Sequence, residues 1–172
     1  MIPGLSRNPK FPKLVVFDLD YTLWPFYSDV HVQPPFHNTS EGHVYDSKGV
    51  KVTVYAEVNR VLERVHKMNI MMAVASRSTA STGAKDLMHH LGWDKYFSAR
   101  EVFPGSKVTH FHKIKNQTHV HFTDMLFFDD DPRNIKDISD LGITCILVIG
   151  GMKMADLQKG FDTYKRNHQG QF

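Results

Sequence analysis

Cysteine is the scarcest resource of this chain: a single residue, Cys145, is present. One thiol excludes an intramolecular disulfide. Its place in the apolar run TCILVI predicts a buried, inert side chain rather than a nucleophile. Long hydrophobic runs are missing as well. No stretch approaches the ~20 apolar residues of a membrane-spanning helix, and the opening MIPGLSRNPKFPK has no apolar core of signal-peptide length. These absences lead us to expect a soluble, cytoplasmic protein with no membrane partner, without separating cytosol from nucleus. Neither sign of charge is in excess, since 21 Lys and Arg face 18 Asp and Glu for a net +3. That balance suits an anionic ligand but lacks the dense basic patch of a nucleic-acid binder. Lys113–Lys115 and Lys165–Arg166 read as solvated helix faces. No internal repeat or low-complexity linker divides the chain, so one domain over residues 1–172 is expected, as a monomer.

What is present is an alternation of strands and helices. Leu14, Val15, Val16 and Phe17 form an unbroken apolar run, the mark of a strand buried on both faces in a parallel sheet. WPFYSDVHVQPPFHNTSEG is irregular. HVYDSKGVKVTVY alternates on both sides of Ser47-Lys48-Gly49 and predicts a β-hairpin. Val58, Val61, Leu62, Val65 and Met68 recur at helical spacing and predict a helix over 57–68. MMAVAS is a second buried strand ending at Ser76. A helix over 79–91 follows, stopped by Gly92. WDKYFSAREVFPG has no clear period. A helix is expected from Ser106 to Lys115, then a strand in MLFFDDD. Asp131-Pro132 is the cap and first position of a helix reaching Leu141. TCILVI is a last strand, and 154–165 a last helix. The expected fold class is α/β: a Rossmann-like three-layer sandwich with a mostly parallel sheet, a small hairpin flap over about 24–55, and no large cap domain.

Chemistry-bearing residues fall at strand ends and helix starts: Asp18, Asp20 and Thr22; Ser76 and Arg77; Lys107; Asp129 and Asp130. A parallel sheet brings its strand C-termini to one edge, so distant pieces can share a pocket there. Clustered acids are costly unless a cation joins them, and magnesium takes oxygen ligands while keeping room for water and a phosphate oxygen. Asp18, the backbone carbonyl of Asp20 and Asp130 suit that ion. Asp18 can attack phosphorus to form an acyl-phosphate. Asp20 can then protonate the departing oxygen and activate the hydrolytic water. Ser76 suits phosphate oxygens, and Lys107 offsets accumulated negative charge.

These residues also carry a resemblance. FDLDYTLW resembles the first motif of the haloacid dehalogenase superfamily, Asp-x-Asp-x-Thr after a buried strand. Ala75-Ser76-Arg77 resembles the second motif, Lys107 in PGSK the third, and FFDDDPRN the fourth. Nearly the whole chain is similar to the magnesium-dependent phosphatases of that superfamily, through FDLDYTLWPF, PPFH, ASR, PGSKVTHF and FFDD followed by RN. The resemblance implies Asp18 as nucleophile and Asp20 as acid/base. It implies Asp18, Asp20 and Asp130 as metal ligands, with Ser76, Arg77, Lys107 and Asp20 contacting substrate and Thr22 and Asp129 in support. Between Asp129 and Asp130 the sequence does not rank the direct ligand. Asp131 adds a third acid, although its place before proline favours helix capping. The implied substrates are phosphate monoesters on proteins, phosphotyrosine included, or fructosamine and sugar phosphates.

Competing readings attach to the same residues. A phospho-accepting signalling module of the receiver type also joins magnesium to an acidic pair, but it keeps that pair and the acceptor in the opposite chain order. Ser76 has a plain alternative as a helix N-cap, and Arg77 as a surface residue. Trp24, Phe26 and Tyr27 suit the pocket entrance, while Trp24, Phe26 and Phe36 equally suit the flap's own core. His110, His112, His119 and His121 tempt as a zinc site, yet helical residues two apart diverge and no acid or thiol joins them.

Overall fold

In chain order the elements are β1 (Leu14–Phe17), β2 (His37–Asn38), β3 (Val44–Tyr45), β4 (Lys51–Val52), α1 (Val58–Lys67), β5 (Met71–Ser76), α2 (Ser81–His90), β6 (Phe97–Val102), α3 (Lys107–Thr118), β7 (Met125–Asp129), α4 (Pro132–Ser139), β8 (Thr144–Leu147) and α5 (Met154–Asn167). The computed structural model describes residues 10–169. The start of the chain, where the missing signal-peptide core was noted, lies mostly outside that range.

The main sheet has the order β6-β5-β1-β7-β8 with every pairing parallel. All four residues of β1 are buried because both sheet faces are covered. Val15 and Phe17 point into a core shared with α1, α2 and α5; Leu14 and Val16 face α3 and α4. That is the expected α/β three-layer sandwich, and no helix of the described residues is long and apolar enough to cross a membrane. Aspartate and proline do their predicted work at α4, where the Asp131 carboxylate accepts from Arg133 N at 2.9 Å and Pro132 opens the helix.

The structure departs from the sequence reading in four places. The aperiodic WDKYFSAREVFPG contains β6, an edge strand whose Arg100 pairs with Asp94 and whose Glu101 accepts from Gln117. An edge strand with a register irregularity at Met72/Ala73 has no need of an unbroken apolar run. The flap is a three-stranded antiparallel sheet, β2-β3-β4, with the predicted hairpin as its β3–β4 half. Helix α2 starts at Ser81, after a turn in which the Ser78 hydroxyl accepts from Ala80 N at 3.2 Å. Cys145 is only half-buried, yet burial pushes its thiol up to about 12, so it is inert at neutral pH.

The flap is tied to the sheet's C-terminal edge. Ser28 and Ser78 hydroxyls lie 2.8 Å apart, Asp29 accepts from the Thr79 hydroxyl at 3.0 Å, and Asp86 accepts from Phe36 N at 3.2 Å. Phe36 is buried as flap core.

Helix α5 approaches the sheet through Gly160. A Cβ there would stand 2.6 Å from Phe128 Cζ and 3.0 Å from Leu126 Cδ2. Gly160→Ala is expected to destabilise the protein, because overpacking costs about 1–3 kcal/mol while the helix gains at most ~1 kcal/mol. Urea unfolding checks the sign.

Candidate active site

Because β1, β5 and β7 run parallel, their C-terminal ends meet at one edge, followed by Asp18, ending at Ser76 and ending at Asp129. Helix α3 adds Lys107 as its first residue, capped by the Ser106 hydroxyl. The Lys107 ammonium sits 2.8 Å from Asp18 Oδ1 and 2.6 Å from Asp129 Oδ2, with all three side chains buried. A cation in the first turn of a helix opposes the dipole, so this contact is what holds it there.

Each acid has a different set of partners. Asp129 is saturated: besides Lys107 it accepts from Asn134 Nδ2 at 3.0 Å and Asp131 N at 2.9 Å. Asp130 has a looser environment, with the Thr22 hydroxyl 3.4 Å from its Oδ1 and 3.1 Å from Asp18 Oδ2. The Asp20 carboxylate, which lines the pocket at this edge, has donors of its own. Its Oδ1 accepts from Trp24 Nε1 at 2.8 Å and Ser28 N at 3.0 Å, which leaves Oδ2 open. The Ser76 hydroxyl accepts from Ser78 N at 3.2 Å and keeps its own hydrogen to donate; it caps no helix.

Electrostatics follow from this crowding. Burial pushes Asp18 up to about 6, against the pull of Lys107 and with help from Asp130. Burial and then the Asp18 charge push Asp129 up to about 6, and burial raises Asp20 and Asp130 too. Burial also works against the Lys107 ammonium, but Asp18 and Asp129 hold its pKa above the usual value. Three carboxylates from Asp18, Asp129 and Asp130 each offer an oxygen within 4.8 Å of the others. One ammonium faces them, so the hard, doubly charged cation that such oxygen donors prefer fits the site in charge and in chemistry.

A cavity of about 360 Å³ opens onto this edge, and Asp18, Asp20, Ser76, Arg77, Lys107, Asp129 and Asp130 all line it. Thr22 lies behind them. Arg77 is exposed at the rim. Sequence reasoning missed Asp29, Arg133 and Asn134 as further lining residues; for the last two, the RN following the fourth motif was the available signal. Of the aromatic candidates only Tyr27, half-exposed, stands at the mouth. Trp24 is fully buried, stacked between Phe26 and Trp93, because its N–H finds Asp20. The four histidines separate: His110 is buried in α3, His112 edges against Phe122, His119 is the left-handed cap ending α3, and His121 is exposed before Phe122.

Residues 10–167 match the acid phosphatase family. The chain belongs to this family, within the haloacid dehalogenase superfamily. It is 46% identical over 161 residues to human magnesium-dependent phosphatase 1, covering 94% of this chain and 92% of that one. A HAD-like hydrolase superfamily protein of Schizosaccharomyces pombe is 34% identical over 151 residues, 81% of this chain and 87% of its own. The fold is similar to a crystallised HAD-superfamily hydrolase of Ehrlichia chaffeensis, with a TM-score of 0.66 at 12% identity, over 90% of this chain and 98% of that one. Membership of an acid phosphatase family gives the receiver-type reading no support.

In this phosphatase family member Lys107 forms a buried ion pair with each of two acids. Lys107→Met is expected to cost about 3–5 kcal/mol at pH 7, since removing one partner leaves uncompensated buried charge. The cost should shrink at pH 5, because burial already raises Asp18 and Asp129 and the variant loses the lowering influence of Lys107, so both take up protons there and cease to repel. Guanidinium unfolding at the two pH values checks both statements.

Proposed function

We propose that the protein is a magnesium-dependent phosphatase that hydrolyses phosphate monoesters through a phosphoryl group carried on Asp18. The observation that carries this reading is Lys107 held between Asp18 and Asp129 at the strand edge, with Asp130 adding a third carboxylate. The name of the human relative, a magnesium-dependent phosphatase, supports the choice of ion. Asp18, Asp130 and the backbone carbonyl of Asp20 would hold it. Asp129, with three donors already on its two oxygens, acts in support by fixing Lys107. When bound, magnesium supplies positive charge for the carboxylates and for the phosphoryl oxygens.

The chain's own residues do the rest. The Asp18 carboxylate forms a bond to phosphorus as the bond to the leaving oxygen breaks, and Asp20 gives that oxygen a proton. Asp20 Oδ2 is the atom free to carry it, because Oδ1 is occupied by Trp24 and Ser28. In the second half Asp20 takes a proton from water as the water oxygen attacks phosphorus, releasing inorganic phosphate and restoring Asp18. Lys107 offsets the negative charge throughout, while Ser76 and Arg77 hold phosphoryl oxygens.

As substrates we propose phosphate monoesters whose bodies remain outside the pocket, protein phosphotyrosine and fructosamine or sugar phosphates among them. The flap is small, and the mouth carries the half-exposed Tyr27 ring with Arg77 and Arg133 beside it.

Asp18→Asn is expected to abolish turnover of p-nitrophenyl phosphate with circular dichroism unchanged, and chelation should do so reversibly. Full turnover by that variant would remove the mechanism. Asp20→Asn should impair alkyl phosphates more than p-nitrophenyl phosphate, whose leaving group needs no proton. A panel of esters showing no preference for aryl or ketosamine phosphates would overturn the substrate assignment alone.

A further inference from the structure

His110 is fully buried, polar, close to the pocket and has no part in the chemistry above. It lies one turn into α3, three residues after Lys107. Its Nε2 stands 2.8 Å from the Ser76 carbonyl oxygen and 2.7 Å from that of Phe103. Both partners only accept, so Nε2 carries the hydrogen and shares it between them. Its Nδ1 faces a third acceptor, the carbonyl of Ser106, the residue that caps α3, at the longer distance of 3.1 Å, so the two shorter contacts assign the shared hydrogen to Nε2. The imidazole lies flat on the Phe103 ring, 3.8 Å between centroids and 5° between planes. Burial lowers the ring's pKa, opposed by the carbonyls of Ser106, Phe103 and Ser76 and joined by a smaller lowering from the Lys107 ammonium.

These contacts span the two pieces of chain that deliver the phosphate-handling groups. Ser76 ends β5 and presents its hydroxyl to the pocket. Phe103-Pro104-Gly105-Ser106 leads into α3 and so into Lys107. Phe103 N donates to the Ser76 carbonyl at 3.1 Å; Pro104 has no N–H to add, and Gly105 takes a φ of +113° that favours glycine. A side-chain donor arriving from α3 supplies the second tether. We propose that His110 is a positioning residue, whose Nε2–H clamps the carbonyl of Ser76 to that of Phe103 and thereby sets the Ser76 hydroxyl and the Lys107 ammonium at the spacing a phosphoryl group requires. The inference rests on the phosphatase reading, which assigns Ser76 and Lys107 to that group.

The clamp predicts a specific rescue pattern. A glutamine amide nitrogen reaches the place of Nε2, whereas that of asparagine reaches only Nδ1. With magnesium present and values normalised to folded protein, His110→Asn should lower kcat/KM on the order of tenfold to a hundredfold, since small misplacements in a catalytic array are that expensive. Its inhibition constant for inorganic phosphate should rise in parallel, and His110→Gln should regain much of both. A merely space-filling histidine would shift the unfolding midpoint and leave both normalised constants alone. Nitrogen-15 spectra of histidine-labelled wild type should show a hydrogen on Nε2 protected from exchange, a readout that needs no variant to fold. The inference is overturned if His110→Asn keeps wild-type constants, if glutamine rescues no better than asparagine, or if the ring is protonated at Nδ1 alone. Ser76→Ala, measured alongside, separates the two failures: unchanged phosphate inhibition there sinks the assignment of Ser76 and the inference with it, whereas a raised constant there beside silent His110 variants sinks only the inference.

Discussion

Lys107 buried between Asp18 and Asp129 is the contact on which the rest of the arrangement depends. Three strands end at the same edge; two of them, β1 and β7, release acids there, and without a cation each acid would move away or hold its proton. A side chain entering from the first turn of α3 prevents that, at a position where its own helix disfavours it. The geometry then propagates outward. Asp129 fixes Lys107, Asn134 and the Asp131 N–H fix Asp129, and the Asp131 side chain caps the helix that carries Asn134. Helix termini, strand ends and charge form one connected set, and no member can be moved without disturbing the next.

The flap belongs to the same logic at a different place. Its three short strands bury little, and they are held by polar ties from Ser28, Asp29 and Phe36 to the turn before α2 and to α2 itself. The turn is the one that follows Ser76, so the mouth of the cavity and the strand end at Ser76 share supports. An open mouth with a small anchored flap suits ligands presented on something larger than the pocket.

Much of this was legible from residue order, and the reasons are physical. Strands β1, β5 and β7 are buried on both faces and therefore appear as uninterrupted apolar runs. Helix α1 has one greasy stripe, and α4 announces itself through Asp131-Pro132. The acids, Ser76 and Lys107 were legible because parallel topology sends strand ends to one edge. What escaped depends on side-chain partners that no apolar pattern marks. Strand β6 lies at the sheet margin, where Arg100 and Glu101 are as acceptable as valine. Trp24 suits the entrance and the flap core alike, because no pattern of residues reveals that Asp20, four positions earlier, satisfies its N–H. Asn134 meets the Asp129 carboxylate and His110 meets carbonyl oxygens of Ser76 and Phe103, contacts that no periodicity encodes.

The stack of Phe26, Trp24 and Trp93 reaches further than packing alone. Trp93 is anchored by its own N–H to Asn59 on α1, 3.0 Å away, and Trp24 passes that rigidity to one oxygen of Asp20. Where the open oxygen of Asp20 aims is thus decided deep in the hydrophobic interior, by rings that never meet a ligand. Under the proposed mechanism, a shift of these rings would move the acid/base of the reaction while leaving the rest of the pocket lining in place.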